Sequence, residues 1–96
     1  MARRRESYTQ IVAVVVRFTK DAQADFDDLP ATIQGRVTAV VERLRSWPAV
    51  SGTKALRGQW AGHDRVRTGD WRVIFLVVTP HLIVVRIKHR REVYDD

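Results

Sequence analysis

Two hydrophobic periods divide this chain. Ile11 to Phe18 is a short run dominated by Val and Ile, and it reads as a buried strand. Thr19 suits an N-cap, and Asp21 falls where a carboxylate complements a helix dipole. Ala22, Phe26 and Leu29 then recur at helical spacing. Pro30 fits the first turn of a second helix. Its apolar stripe is Ile33, Val37, Val40, Val41, Leu44 and Trp47, while Gln34, Arg36, Glu42, Arg43 and Arg45 face water. Gly35 interrupts that helix at a cost of about 1 kcal/mol relative to alanine. Pro48 ends it, and the two helices form an αα-hairpin with one shared apolar side.

Beyond Pro48 the period changes. Residues 48–61 read as a loop carrying Gly52, Lys54, Arg57 and Gly58, pinned to the core by Leu56 and Trp60. Loops of this length without structure of their own are often functional. His63, Arg65 and Arg67 then alternate with Asp64 and Val66, which gives one strand face three potentially cationic side chains. Thr68-Gly69-Asp70 is turn chemistry, and Trp71 to Val78 returns as an aromatic and β-branched strand. Thr79-Pro80-His81 supplies another turn before a last strand, Leu82 to Lys88. Strand, two helices and a three-stranded meander predict an α+β domain, an antiparallel sheet with the helical hairpin on one face. Residues 1–10 read as a flexible basic arm and residues 11–96 as a single domain.

Charge sharpens this picture. The 96 residues carry a formal net charge of +6, spread unevenly. From Lys54 to Arg91 there are nine basic residues (54, 57, 65, 67, 72, 86, 88, 90 and 91), opposed only by Asp64 and Asp70 until Glu92. Between Lys20 and Arg45, by contrast, four basic residues meet five acidic ones. A cationic C-terminal half favours a polyanionic partner, either nucleic acid or an acidic protein segment. There is no cysteine, which rules out disulfides and thiolate metal sites and suits a reducing cytoplasm. Ile11 to Val16 is too short for a membrane span or a signal sequence, so a cytoplasmic protein is expected. His63, His81 and His89 show no ligand spacing, and neither a metal nor a cofactor is expected.

The bland readings are definite for several of these residues. A basic strand face is often only a solvated sheet face. Trp47 and Trp60 read as core, Trp71 as core or hairpin packing, and His81 as a surface turn residue. His89 is either a packed strand end or a neighbour of the site.

Three stretches nevertheless recur together: Leu56-Arg57-Gly58, Arg65 through Phe75, and His89-Arg90-Arg91-Glu92-Val93-Tyr94. With this spacing and element order, the chain from Val14 onward resembles the RelE/ParE superfamily of type II toxin–antitoxin toxins. The resemblance implies a microbial RNase-like fold. Its RelE branch cuts messenger RNA in the ribosomal A site, and its ParE branch poisons DNA gyrase. Arg65 and Arg72 match positions where RelE-type toxins carry catalytic basic residues. His63 matches a further basic position, Tyr94 the C-terminal tyrosine, and Arg90 or Arg91 the arginine before it. The chain departs from the pattern in two places. The segment between arginine and tyrosine is shorter, and histidine stands at 63 where lysine is usual.

The RelE-like reading makes this a ribosome-dependent, metal-independent mRNA endoribonuclease that inhibits translation. Cleavage needs a base for the ribose 2′-hydroxyl, an acid for the 5′ leaving oxygen, and cations for the crowded phosphorane. Arginine suits the last task because its planar fork donates to two phosphate oxygens and stays charged. Arg65, Arg72 and one of Arg90 and Arg91 are the candidates. His63 titrates naturally near neutrality, while Tyr94 could act as acid–base group beside arginines or stack on a base. Lys54, Arg57, Arg67 and Lys88 are further candidates for contact with nucleic acid. The alternatives are a ParE-like gyrase poison without nuclease activity, and a non-toxic basic domain of the same fold. The expected partners are an acidic antitoxin in a hetero-oligomer, covering the helical hairpin and the basic face, and the ribosome with its message (or gyrase).

Overall fold

The computed structural model describes residues 14–92; the arm at 1–10, most of the apolar run ahead of Val14, and Tyr94 lie outside them. Strand β1 (Val15–Phe18) leads into α1 (Lys20–Asp27) and α2 (Ala31–Leu44), followed by β2 (Thr53–Ala55), β3 (Asp64–Thr68), β4 (Trp71–Val78) and β5 (His81–His89). The sheet runs β1-β5-β4-β3-β2. The expected α+β architecture is present, with five strands where four were expected.

Three features correct the sequence reading. First, β1 pairs with β5 in parallel, so the sheet is mixed and only mostly antiparallel. Parallel strands need a long connection, and here the helical hairpin together with β2, β3 and β4 separates β1 from β5. Second, β1 is half-buried and not wholly buried, because the helices cover one face only; Val15 on the other face is 45% exposed. Third, the loop over 48–61 holds β2, paired antiparallel with β3, and a single 3₁₀ turn at Gly58–Trp60.

The helices cover one face of the sheet. Val37, Val40, Val41 and Leu44 of α2 and Ala22 of α1 are buried against Val66, Val73, Phe75, Leu82, Val84 and Ile87. Trp47 meets Phe75 edge-on at 5.4 Å, and Phe18 meets Phe26 edge-on at 6.3 Å. Thr19 caps α1 as expected: its hydroxyl accepts from the Ala22 N–H at 3.1 Å and donates to the Val85 carbonyl at 3.1 Å. Pro30 occupies the N-cap position of α2, one residue earlier than the first helical turn.

Where β1 stops, α1 takes over the open edge of β5. The Thr19 N–H donates to the Val84 carbonyl at 3.0 Å, and Asp25 accepts the Ile87 N–H at 2.9 Å. Asp25 also receives Arg86, Nε to Oδ2 at 2.7 Å and Nη2 to Oδ1 at 3.0 Å. An edge that would otherwise template association is thereby closed. An irregularity in the β4–β5 register between Ile74 and Phe75 passes over Val85, so Ile74 faces Arg86 while Phe75 faces Val84.

Candidate functional site

The face of the sheet turned away from the helices carries the candidate residues. Residues directly opposite in an antiparallel pair share a face, with Cβ atoms about 4.5–5.5 Å apart. Val66 and Val73 are opposite and belong to the helix-side core, so Arg65, Arg67 and Arg72 belong to the outer face. The register stacks them in two rows. Lys54 faces Arg65, which faces Ile74. One step along, Arg67 faces Arg72, which faces Lys88. Arg65 and Arg72 are diagonal neighbours on adjacent strands, the relationship expected from the hairpin.

Like charges opposite one another destabilise a sheet. Five cations in two adjacent rows are therefore an arrangement that packing alone does not favour. Nor is this a solvated face throughout: Arg65 is only 7% exposed and Arg72 8%. Arg65 Nη1 donates to the Gly52 carbonyl at 3.2 Å, which fixes the guanidinium against the turn before β2. Lys54 and Arg67 are exposed and Lys88 is half-buried. Buried arginines flanked by exposed ones make a graded cationic surface, fixed at its centre and adaptable at its rim.

The tight β3–β4 loop holds these rows in register. Thr68 pairs with Trp71 across the two-residue loop Gly69-Asp70, and Gly69 has φ 59°. A positive φ at the first loop position and none at the second is type II′ geometry, which suits the twist of the strands. Trp71 packs against the helix-side core and meets His89 edge-on at 5.2 Å, which makes His89 a packed strand end. The Arg90 N–H donates to the Asp70 carbonyl at 2.7 Å, and Arg90 Nη1 lies 3.4 Å from Asp70 Oδ1. Arg91 lies beyond the strand in a 3₁₀ turn (Arg90–Glu92), where its N–H donates to His89 Nδ1 at 3.3 Å.

His63 does not lie on the strand as expected; β3 begins at Asp64. Its ring meets Trp60 edge-on at 5.4 Å, beside the small outer-face cluster of Leu56, Ile74, Trp60 and Val85. His63 Nδ1 and Trp60 Nε1 are buried without a hydrogen-bond partner among the described residues. Arg57 is exposed on the loop at the start of the 3₁₀ turn. Among the described residues, no cluster of three or more His, Asp or Glu side chains could hold a metal ion, and no helix is long and apolar enough to cross a membrane.

Residues 16–94 match the family model described as the ParE toxin of the type II toxin–antitoxin system, parDE. The chain belongs to the RelE/ParE family of type II toxins. Toxin RelG of Mycobacterium tuberculosis is 30% identical over 81 residues, covering 82% of this chain and 93% of RelG. Among solved structures, the RelBE2 toxin–antitoxin complex of the same organism contains a chain with TM-score 0.73 and 28% identity, covering 84% of this chain and 95% of that one. The isolated RelE toxin of E. coli gives TM-score 0.68 at 15% identity, covering 80% of this chain and 84% of that one, a likeness of fold.

Two residues of this RelE/ParE toxin escaped the sequence reading. Asp70 was legible only as a turn former, yet it binds Arg90. Arg36, assigned to the wet side of α2, brings Nη1 to 3.5 Å from where a Cβ on Gly69 would sit. It adds a cation to the hairpin tip from the helix side. No local pattern could have signalled either, since both depend on where the β3–β4 turn meets other elements.

Proposed function

We propose that this toxin halts translation by cutting messenger RNA on the ribosome, with the outer sheet face as its phosphate-binding surface. The observation that carries this reading is the double row Lys54–Arg65 and Arg67–Arg72–Lys88, whose two central arginines are buried. In the reaction the 2′-oxygen attacks the adjacent phosphorus while the bond to the 5′-oxygen breaks. The products are a 2′,3′-cyclic phosphate and a 5′-hydroxyl end. Arg65 and Arg72, with an arginine from the C-terminal pair Arg90/Arg91, neutralise the charge that develops on the phosphorane. Preorganised donors of this kind are worth most when held rigidly and away from water. Tyr94 and His63 are the candidates for proton transfer. Lys54, Arg67 and Lys88 hold the flanking backbone, and Arg57 extends the basic surface onto the loop.

Such a limited acid–base set suits an enzyme whose ribosome positions the substrate and shares the catalysis. The decisive experiment adds the protein to a cell-free translation reaction and maps message ends. Cuts confined to translated messages are expected. Intact messages at inhibitory doses, or equal cutting of ribosome-free RNA, would sink the reading. The match to a ParE model favours gyrase poisoning as the second reading. Stalled, cleaved DNA complexes in a supercoiling reaction would establish it.

The natural antagonist in either case is an acidic antitoxin with amphipathic segments. Solved relatives of this fold include toxin–antitoxin complexes. The chain also presents apolar surface beside its charge: Val15 and Val78 are 45% and 53% exposed on the outer face. Phe18, Phe26 and Val41, with Gln23 and Thr38, line a groove of about 200 Å³ on the helical side. Co-elution of the toxin with its antitoxin at low and moderate salt tests this partnership; separation at both would refute it.

A further inference from the structure

Arg90 and Arg91 are equivalent in sequence and not in the fold. The β4–β5 ladder has Arg72 opposite Lys88 and Trp71 opposite His89. The 2.7 Å bond from the Arg90 N–H to the Asp70 carbonyl extends that ladder by one more pair. Arg90 opens the 3₁₀ turn directly after β5, and Asp70 is the turn residue directly before β4, so this bond ties the two strand ends together next to the Trp71–His89 pair. The approach of Arg90 Nη1 to Asp70 Oδ1, 3.4 Å, independently puts both side chains on one side of the ribbon. Arg90 is thus tied through Asp70 to the end of the ladder that carries the Arg72–Lys88 pair. Arg91 has left the ladder: its N–H turns back onto His89 Nδ1, and Glu92 Oε1 receives the His89 N–H at 2.9 Å.

We infer that Arg90 is the C-terminal arginine of the phosphate-binding row, and that Asp70 is its positioning residue. Asp70 is an acidic side chain beside the end of the Arg72–Lys88 pair, and a bare anion there would weaken any polyanion site. Its use is geometric. It holds a long, exposed guanidinium over the row, limiting the rotamers Arg90 must give up when phosphate arrives. Both side chains remain open to solvent, so a phosphate oxygen can share or replace the Asp70 contact.

The inference rests on the nuclease reading for its first readout and not for its second. The first readout is single-turnover cleavage of a message on programmed ribosomes by the full chain. Arg90→Ala is expected to slow cleavage about 100-fold and Asp70→Asn about tenfold, while Arg91→Ala stays within about threefold. Asp70→Asn also removes a negative charge, so its apparent affinity for the message should hold or tighten while the maximal rate falls. A merely structural role would not split the two that way. Asp70→Asn in the Arg90→Ala background should cost nothing further, because the two act as one unit.

The second readout is the salt dependence of affinity for a single-stranded DNA oligonucleotide, which lacks the 2′-hydroxyl and stays intact. Losing Arg90 should flatten the slope by about 0.7, the value of one phosphate contact, and losing Arg91 should not. Full additivity of the Asp70 and Arg90 effects, or an Arg91→Ala loss equal to that of Arg90→Ala, would overturn the assignment. If the unmodified protein cuts nothing on ribosomes, the nuclease reading fails alone. The slope then still decides whether Arg90 belongs to the anion-binding row.

Discussion

Arg86 on β5 donates to Asp25 on α1 through two nitrogens, Nε to Oδ2 at 2.7 Å and Nη2 to Oδ1 at 3.0 Å. The same carboxylate accepts the Ile87 N–H, so one side chain fastens the first helix to the strand edge that β1 leaves open. This pair removes Arg86 from the cationic outer face and gives it a structural task. The five cations of the double row instead stand opposite one another or opposite Ile74 in the ladder.

That relationship sets a pH dependence. Burial by itself would raise the Asp25 carboxyl, but hydrogen bonds from Arg86 and the Ile87 N–H, with the charges of Arg86 and Lys88, outweigh it and hold it below 3.8. A depressed carboxyl contributes stability above its unfolded pKa, and that contribution is lost as pH falls through the folded value. Asp25→Asn should cost about 1–3 kcal/mol at pH 7, the range for hydrogen bonds to charged groups. Urea unfolding should show the difference between the two proteins shrinking below about pH 4. A constant difference from pH 7 to pH 3 would refute the assignment.

Gly35 lies within α2 on an exposed face, and a Cβ built there meets nothing within 4 Å. No steric demand explains the glycine. Gly35→Ala should raise stability by about 1 kcal/mol through helix propensity and a less flexible unfolded chain. Thermal unfolding reads this directly. A lowered midpoint would refute the open space around this position.

Arg67 is exposed and sits opposite Arg72. Removing it relieves a like-charge pair, so Arg67→Ala should leave stability unchanged or raise it by a few tenths of a kcal/mol. The same change should weaken binding to a single-stranded oligonucleotide and flatten its salt dependence by about 0.7. Stability and binding moving in opposite directions is the signature of a row arranged for a ligand. A parallel loss of both would assign Arg67 to folding.

His63 packs on Trp60 and buries Nδ1 without a partner. Replacing an unsatisfied buried polar atom with carbon of similar shape is neutral or favourable. His63→Leu should therefore keep or raise the unfolding midpoint while preserving the Trp60 contact. Its effect on message cleavage tests the proton-transfer role separately. A loss near 100-fold with stability intact would name His63 as the acid or base, and a loss under about threefold would leave that role to Tyr94.

Local chemistry was enough to determine most of the elements. Thr19 as a cap, the α2 stripe from Ile33 to Trp47, and the Thr68-Gly69-Asp70 turn each follow from interactions within a few residues, which sequence order preserves. The diagonal closeness of Arg65 and Arg72 followed from one short hairpin for the same reason, while the family resemblance took three short stretches in order. Tertiary structure decided everything that joins distant segments. The parallel pairing of β1 with β5 joins the first strand to the last across the whole domain, which no local period encodes. The β2 strand exists because Lys54 and Ala55 find partners on β3, not because three residues prefer extension. The burial of Arg65 and Arg72 depends on the loop and strands around them, and the distinction between Arg90 and Arg91 depends on a turn 20 residues earlier. Adjacent residues with the same side chain look alike in sequence. The fold gives them different partners, Asp70 for Arg90 and His89 for Arg91.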